Sequence, residues 1–170
     1  AYPPDRPLAT SVAVMRPSSH AERAPHVQQT GPMDSCVFCA VIAGDEPAVW
    51  VEREEHAVAF APLPDSALAP GHTLVVPVEH TADLLSAGPT ALAATTALAQ
   101  RVARAMKGAL GATGTVVLQA SGADAGQSVP HLHLHVVPCW PDDATTHWPE
   151  RRSAHVVDGD PHALLAEMFE

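Results

Sequence analysis

Three histidines, His131, His133 and His135, alternate with apolar residues inside the segment 126–138. Alternation is the side-chain period of a β-strand, so the pattern predicts a strand with the three imidazoles on one face. The opposite, apolar face would carry Leu132, Leu134 and Val136. Because a strand advances about 3.3 Å per residue, the outer two imidazoles would be rooted roughly 13 Å apart. Zinc binds nitrogen at about 2.0–2.1 Å, so one ion cannot hold all three rings.

At least one of these imidazoles is therefore left for another task. With a pKa close to neutrality, an imidazole can act as a nucleophile, a proton carrier or a hydrogen-bond donor to phosphate. The alternative is an ordinary surface strand or a fortuitous metal site. The upstream run Gly126-Gln127-Ser128 and a cysteine pair, Cys36 and Cys39, favour a functional site instead.

The composition favours one domain that acts on a small ligand. The chain has 170 residues, enough for a sizeable core with tails. Nineteen acidic and nine basic residues give a formal charge of −10, which repels a nucleic acid polymer. There is neither a run of about eighteen apolar residues nor a signal-peptide pattern, so we expect a cytoplasmic protein with no membrane partner. Three cysteines do not suit a secreted disulfide scaffold.

The chain divides into a predicted disordered extension at 1–33, a folded domain at 34–138 and a tail at 139–170. Within the domain, the patterns predict a short helix closed by Gly44 and a main helix over Pro89–Leu110. Strands are predicted near 48–53, 56–61, 72–78, 114–120 and at the histidines, and a short helix near 163–169. Short connections between most strands favour an antiparallel sheet backed by helices, an α+β domain.

Several fragments together resemble the histidine triad (HIT) superfamily of nucleotide-binding hydrolases and transferases. The first is the pattern His131-Leu-His-Leu-His-Val-Val preceded by Gly126-Gln127-Ser128. The others follow in the order of the family: Cys36-Val-Phe-Cys39, Ile42-Ala-Gly44, Glu55-His-Ala-Val-Ala-Phe60, Pro70-Gly-His-Thr-Leu-Val-Val-Pro77 and His80. Each fragment is weak alone, but the set covers about residues 34–138 and is specific.

The resemblance implies a HIT-like fold with a five-stranded antiparallel sheet, one main helix and short helices. It also implies a homodimer with a continuous sheet. We expect the tail 139–170 to pack either on the domain of its own chain or on the dimer partner. A purine nucleotide would lie beside the triad. His133 would attack the α-phosphorus to form a nucleotidyl-histidine, a form of covalent catalysis. His135 would donate a hydrogen bond to a phosphate oxygen, and Ser128 would contact the phosphate and the leaving group.

Further nucleotide contacts are implied for the loop before the triad. Gln127 and the backbone at Gly126 would contact the phosphate. The asparagine common in the family just before the Gly122 position is missing, and Gln119 and Ser121 are the candidate substitutes. Where the family usually has the ribose-binding acid this chain has Pro62, and Asp65 is the candidate there, although a turn role for Asp65 is simpler.

The resemblance also implies a structural zinc site formed by Cys36, Cys39, His80 and His131. Four protein ligands close such a site and leave no position for substrate. A buried reduced pair or a redox pair of cysteines remains an alternative interpretation. His56 and His72 match family positions, but we interpret both as packing or surface residues.

We therefore predict a hydrolase that cleaves a purine nucleoside 5′-phosphoramidate or a related nucleotide ester. A dinucleoside polyphosphate hydrolase or nucleotidyl transferase would use the same His133 intermediate with a different leaving group. A binding module without turnover is also compatible, because Ala120 and Cys139 replace an asparagine and an arginine that are frequent in the family. A metalloenzyme that uses the triad as ligands is a fourth interpretation.

Overall fold

The computed structural model describes residues 36–141, 143 and 153–169. The predicted extension at 1–33 and most of residues 142–152 lie outside this part of the chain. Along the described residues the order is α1 Val37–Ala43, β1 Trp50–Arg53, β2 Ala57–Phe60, β3 Thr73–Pro77, α2 Pro89–Leu110, β4 Gly114–Leu118, β5 Leu134–Cys139 and α3 Pro161–Ala166. Short 3₁₀ turns occupy Pro64–Ser66, Ala123–Ala125 and Glu167–Phe169.

The five strands form one sheet in the order β1-β2-β3-β5-β4, and each neighbouring pair is antiparallel. In the centre of the sheet β3 pairs with β5, which brings Leu74 opposite His135 although the two are far apart in sequence. The α+β fold predicted from the sequence, with one main helix and short helices, is confirmed.

Each face of the sheet has its own hydrophobic core. Side chains alternate along a strand, so Ala57 and Ala59 of β2 pack on the α2 side, whereas Val58 and Phe60 pack on the α1 side. The same alternation in β5 sends Leu134 and Val136 into the core under α2. The side chain of His135, between them, consequently lies on the other face, which α1 covers in part.

Local sequence signals explain both ends of α2. Pro89 occupies the first turn, where N–H groups have no intrahelical acceptor, so its missing N–H costs no hydrogen bond. Gly111 ends the helix in the left-handed conformation at φ 66°, and its N–H donates to the carbonyl of Met106. The buried face consists of Ala91, Thr95, Leu98, Ala99, Val102 and Met106. The predicted bounds of this helix are therefore confirmed.

The histidine strand is shorter than the alternation predicts. β5 begins at Leu134, so His131 and His133 precede it in irregular backbone. The N–H of His131 donates to Val129 O at 2.8 Å, and that of Leu132 donates to Thr81 O at 2.7 Å. These bonds go to neighbouring turns instead of the β3 ladder, and Pro130 has no N–H to offer a ladder. The prediction of a strand through all three histidines was wrong in its first half.

The tail contains the short helix that its apolar residues predict. Asp160 caps α3, because its carboxylate accepts from the N–H groups of His162 and Ala163 at 2.9 and 3.3 Å. Leu164, Leu165, Met168 and Phe169 are exposed. Among the described helices, none has the length and apolar character needed to cross a membrane.

Candidate functional site

A cavity of about 460 Å³ lies on the α1 side of the sheet. His133, His135 and Ser128 line one part of it. The remaining lining residues are largely apolar: Val37, Phe38, Val41, Pro47, Ala48, Phe60, Ala61, Pro62, Leu63, Leu74 and Val129, with Glu46 and Ser66. Its volume falls within the range of about 300–1,000 Å³ that small-molecule pockets usually have. The cavity thus joins an apolar compartment to a polar one that contains two imidazoles.

The ring of His133 is held in one orientation. Its Nδ1 lies 2.7 Å from the carbonyl oxygen of His131, and because a carbonyl only accepts, Nδ1 carries the proton. In the neutral ring the lone pair then resides on Nε2. Only 5% of His133 is exposed, and its ring packs edge-on against Phe38 and His135. A buried imidazole with a fixed tautomer is suited to attack an electrophile placed in the cavity.

His135 receives its tautomer from His72. The N–H of Leu68 donates to Nδ1 of His72 at 3.1 Å, so the neutral His72 ring carries its proton on Nε2. That Nε2 lies 3.0 Å from Nδ1 of His135 and donates to it. His135 in turn carries its proton on Nε2, where it can serve as a hydrogen-bond donor. The sequence interpretation of His72 as a packing or surface residue therefore missed a residue that directly orients the triad.

His135 is neutral over the physiological range. Burial, followed by the nearby rings of His133 and His72, lowers the pKa of His135 to about 4. A neutral ring with its donor on Nε2 matches the role of a hydrogen-bond donor to an anionic oxygen. No signal within the sequence pattern itself reports this depression, because it depends on which rings the fold brings together.

The side chains proposed to bind phosphate hold the loop before the triad together and attach it to the segment that precedes α2. Gln127 accepts from the N–H of Gly122 at 2.8 Å and donates to Ala82 O and Val129 O at 2.6 and 2.9 Å. Ser121 accepts from the N–H of Leu84 at 3.2 Å. Gly126 adopts φ 88° at the end of the 3₁₀ turn. These contacts shape the loop that carries Ser128 to the cavity.

Of the polar residues predicted to contact the nucleotide, the cavity brings together Ser128, His133 and His135. Gln127, Ser121, Gly126 and Asp65 are not among its described lining residues. Asp65 is exposed in the 3₁₀ turn, and its neighbour Ser66 lines the cavity. The turn therefore contributes Ser66 to the cavity lining, where the sequence had suggested the carboxylate of Asp65.

A second constellation lies behind His133 and consists of Cys36, Cys39, His80 and His131. Its four candidate ligand atoms all lie within 4.8 Å of one another. Sγ of Cys39 is 3.2 Å from Nδ1 of His80 and 3.6 Å from Nδ1 of His131, and Sγ of Cys36 is 3.4 Å from Nδ1 of His131. Ligands on a tetrahedral zinc are separated by about 3.3–3.8 Å, given the usual zinc distances to nitrogen and sulfur. The cluster therefore has the donor set and the spacing of a Cys2His2 zinc site.

In this cluster the imidazole of His131 is in the protonation state that a metal ligand needs, whereas the thiol of Cys39 is not. Nε2 of His131 donates to Pro77 O at 3.0 Å, so the lone pair of the neutral ring lies on Nδ1, facing the cysteines. Burial lowers the pKa of His131 to about 4, which keeps the ring neutral. Burial, and then the neighbouring Cys36, raise the pKa of the Cys39 thiol to about 11. A metal ion must displace that proton, so its affinity will rise with pH.

Two of the departures from the family pattern, Ala120 and Cys139, lie outside the cavity lining, whereas Pro62 is part of it. Cys139 is at the end of β5 opposite Gly114, where its thiol is 3.7 Å from Val137 O. The carbonyl of Ala120 accepts from the Gln119 carboxamide at 2.8 Å. Neither residue is among those that line the described cavity.

Comparison with known proteins agrees with this geometry. The family model described as the HIT domain matches residues 43–141. An uncharacterized HIT-like protein of Mycobacterium tuberculosis is 42% identical over 103 residues, which are 61% of this chain and 70% of the relative. A fission yeast protein, named an adenosine 5′-monophosphoramidase, is 35% identical over 104 residues, covering 61% of this chain and 74% of its own.

Among solved structures, a zinc-bound histidine triad family protein from Mycobacterium smegmatis is similar with a TM-score of 0.64 and 37% identity. The match covers 72% of this chain and 85% of that protein. The presence of zinc in this structural neighbour agrees with the metal-binding geometry of the four residues found here.

Proposed function

Because this chain belongs to the HIT domain family, we propose that it hydrolyses 5′-phosphoramidates or related phosphate esters of purine nucleosides. The hydrolase activity by which the fission yeast relative is named supports the reaction class. The combination of an apolar compartment and two oriented imidazoles supports the substrate class. A purine would occupy the apolar compartment, and its 5′-phosphate would meet the histidines.

The reaction would proceed in two displacements at phosphorus. Nε2 of His133 attacks the α-phosphorus, a nitrogen–phosphorus bond forms, and the bond to the leaving amine or alcohol breaks as that group takes up a proton. Ser128 lies on the cavity wall where its hydroxyl can contact the leaving group. Water then attacks the same phosphorus, loses a proton, and returns the electron pair to His133 with release of the nucleoside monophosphate.

His135 would stabilise the negative charge that grows on the phosphoryl oxygens. Its donor on Nε2 is fixed in advance by the hydrogen bond from His72, so no reorganisation is needed as the charge develops. Removing one such donor in other enzymes costs about a hundred- to a thousandfold in kcat.

The observation that carries this proposal is the tautomer of His133. The 2.7 Å bond to His131 O leaves Nε2 as the free nucleophilic nitrogen in a ring that lines the cavity. A ring with its two nitrogens exchanged would present a proton to the substrate and could not attack.

The charges of the cavity favour a phosphoramidate over a dinucleoside polyphosphate. No lysine or arginine is among the described lining residues, and Glu46 contributes a negative charge. A nucleoside phosphoramidate brings a single negative charge, whereas a polyphosphate chain brings several that would need cations to neutralise them. The same His133 chemistry would allow a transferase or polyphosphate hydrolase, but this cavity supports them less well.

A zinc ion fits the cluster of Cys36, Cys39, His80 and His131. With four protein ligands the ion would cross-link the segments that hold them and would have no open position for substrate. We propose this structural role for it.

The test is substitution of the nucleophile in the full chain. His133→Asn should preserve the fold and lower kcat on an adenosine phosphoramidate by about a thousandfold or more. Turnover would be measured alongside circular dichroism, and mass spectrometry of a rapidly quenched reaction should find the nucleotidyl adduct on His133. A His133→Asn variant that retains full turnover would overturn the proposed mechanism, and intact nucleotide binding by a wild-type protein without turnover would indicate a binding module.

A further inference from the structure

Two direct connections join the metal cluster to His133. The first is the peptide carbonyl of His131, which accepts the Nδ1–H of His133 at 2.7 Å. The imidazole of that same residue is a member of the cluster. Whatever fixes the His131 side chain therefore also fixes the acceptor that determines the tautomer of His133.

The second connection is the ring of Phe38. Its centroid lies 5.9 Å from that of His131 and 5.4 Å from that of His133, edge-on to both. The ring of Phe60 also packs edge-on against Phe38, with the two centroids 5.6 Å apart. Phe38 stands in sequence between the two cluster cysteines, Cys36 and Cys39, so a metal ion bound to both sulfurs would hold the backbone that carries the ring.

The short helix α1 needs such an anchor. It has seven residues, fewer than an isolated helix requires in water, and its N-terminal residue Cys36 makes no side-chain capping bond. Its position therefore depends on Phe38 and Val41 in the core and on the two thiols in the cluster.

We propose that the metal cluster positions the nucleophile: occupancy of Cys36, Cys39, His80 and His131 holds His133 in its reactive orientation through the His131 carbonyl and the Phe38 ring. This rests on the proposed function for its kinetic consequence, but not for its structural one. His131 and Phe38 are positioning residues in this scheme. The cluster would then control reactivity at the phosphoryl site without contacting substrate.

The direct test is the state of the His133 ring in the full chain with and without zinc. In the zinc-loaded protein, nitrogen-15 NMR of the neutral ring should show a protonated Nδ1 and an unprotonated Nε2. After chelation, or in Cys39→Ser and His80→Gln variants, the two nitrogens should approach averaged values. Neither Cys39 nor His80 lines the cavity, so these changes remove no substrate contact.

Kinetics give the second readout. In the zinc-depleted protein, kcat should fall by about tenfold or more, as expected for a misplaced reacting group, while nucleoside monophosphate affinity should change much less. Cys139→Ser is the matched control for loss of a thiol, and His56→Gln for loss of an imidazole; both lie outside the cluster and should leave kcat and the His133 signals unchanged.

A third variant covers the case in which zinc loss unfolds the chain. Phe38→Leu keeps all four cluster residues but removes the ring contact, so the zinc-loaded variant should bind metal normally and lose kcat by a larger factor than it loses affinity. Unchanged His133 signals in folded, zinc-free protein would overturn the proposal. If chelation unfolds the chain, an unchanged kcat in zinc-loaded Phe38→Leu would overturn the proposal instead. If the wild type has no turnover on any nucleotide, the hydrolase proposal fails while the NMR comparison still decides this one.

Discussion

At the scale of single residues, the site depends on which nitrogen of each imidazole carries the proton. The spacing of His131, His133 and His135 could predict that the three rings would not share one ion. It could not predict the partners of those rings, because Pro77 of β3 and His72, the residue before that strand, are distant from them in sequence. The tautomers are thus a property of the fold, and the role of His72 was missed for that reason.

The first prediction concerns His72. His72→Leu removes the donor to Nδ1 of His135, so His135 loses its fixed tautomer and kcat should fall by about tenfold or more. His72→Gln has an amide N–H that can replace the donor, and we expect it to recover a substantial part of the loss. Steady-state kinetics with nitrogen-15 NMR of His135 would check this. His56→Gln, which changes an exposed histidine, is the control and should leave kcat unchanged. Equal kcat in the wild type and in His72→Leu would contradict the prediction.

The second prediction concerns pH and stability. The pKa of His135 is about 4 in the folded chain and near its ordinary value of 6.5 when unfolded, so the unfolded chain binds the proton more readily. The stability associated with neutral His135 is therefore fully present above pH 6.5 and is lost progressively as the pH falls from 6.5 towards 4. Urea unfolding between pH 4 and 7 should show a steeper decline in the free energy of unfolding for the wild type than for His135→Asn. Parallel curves would refute the assignment.

At the scale of secondary-structure elements, local signals predicted some boundaries well and others poorly. Pro89 and Gly111 mark the ends of α2 by chemistry that acts within the helix itself. The start of β5 depends instead on a bond from Leu132 to Thr81, a contact that no local pattern reports. The alternation of side chains nevertheless predicted correctly that Leu134 and Val136 would face a core opposite His135.

The buried face of α2 leads to a third prediction. Thr95 is 1% exposed, and its hydroxyl has no hydrogen-bond partner among the described residues. Valine has nearly the same shape and no hydroxyl, so Thr95→Val should raise the free energy of unfolding by about 1 kcal/mol. Chemical denaturation would measure this. Thr96→Val, on the exposed side of the same helix, is the control and should change the free energy of unfolding little. A lower free energy of unfolding in Thr95→Val would contradict the prediction, because it would show that the Thr95 hydroxyl has a hydrogen-bond partner.

At the scale of the whole molecule, the sheet has an edge suited to self-association. β4 pairs with β5 on one side, and no second neighbour is present among the described strands. An edge strand leaves backbone N–H and C=O groups that can pair with another chain. Val117 on this strand is 51% exposed. If the homodimer with a continuous sheet that the family resemblance implies forms at this edge, a second copy would pair with β4.

The fourth prediction tests that assembly. The wild type should behave as a dimer in light scattering, and Val117→Glu should shift it towards monomer because a carboxylate would be buried at the interface. Val51→Glu is the matched control, since Val51 is equally exposed on β1 at the other edge of the sheet. A wild type that is monomeric at high concentration, or a Val117→Glu variant that remains dimeric, would exclude this interface.

The two faces of β5 have different roles, one in stability and the other in the candidate site. Leu134 and Val136 belong to the core beneath α2, while His135 belongs to the cavity on the reverse face. Selection for expression or heat resistance would act mainly on the core residues Leu134 and Val136 and only weakly on His135 in the cavity. Descendants of this chain can consequently drift into inert, well-behaved proteins, and a screen that scores solubility alone would count them as intact.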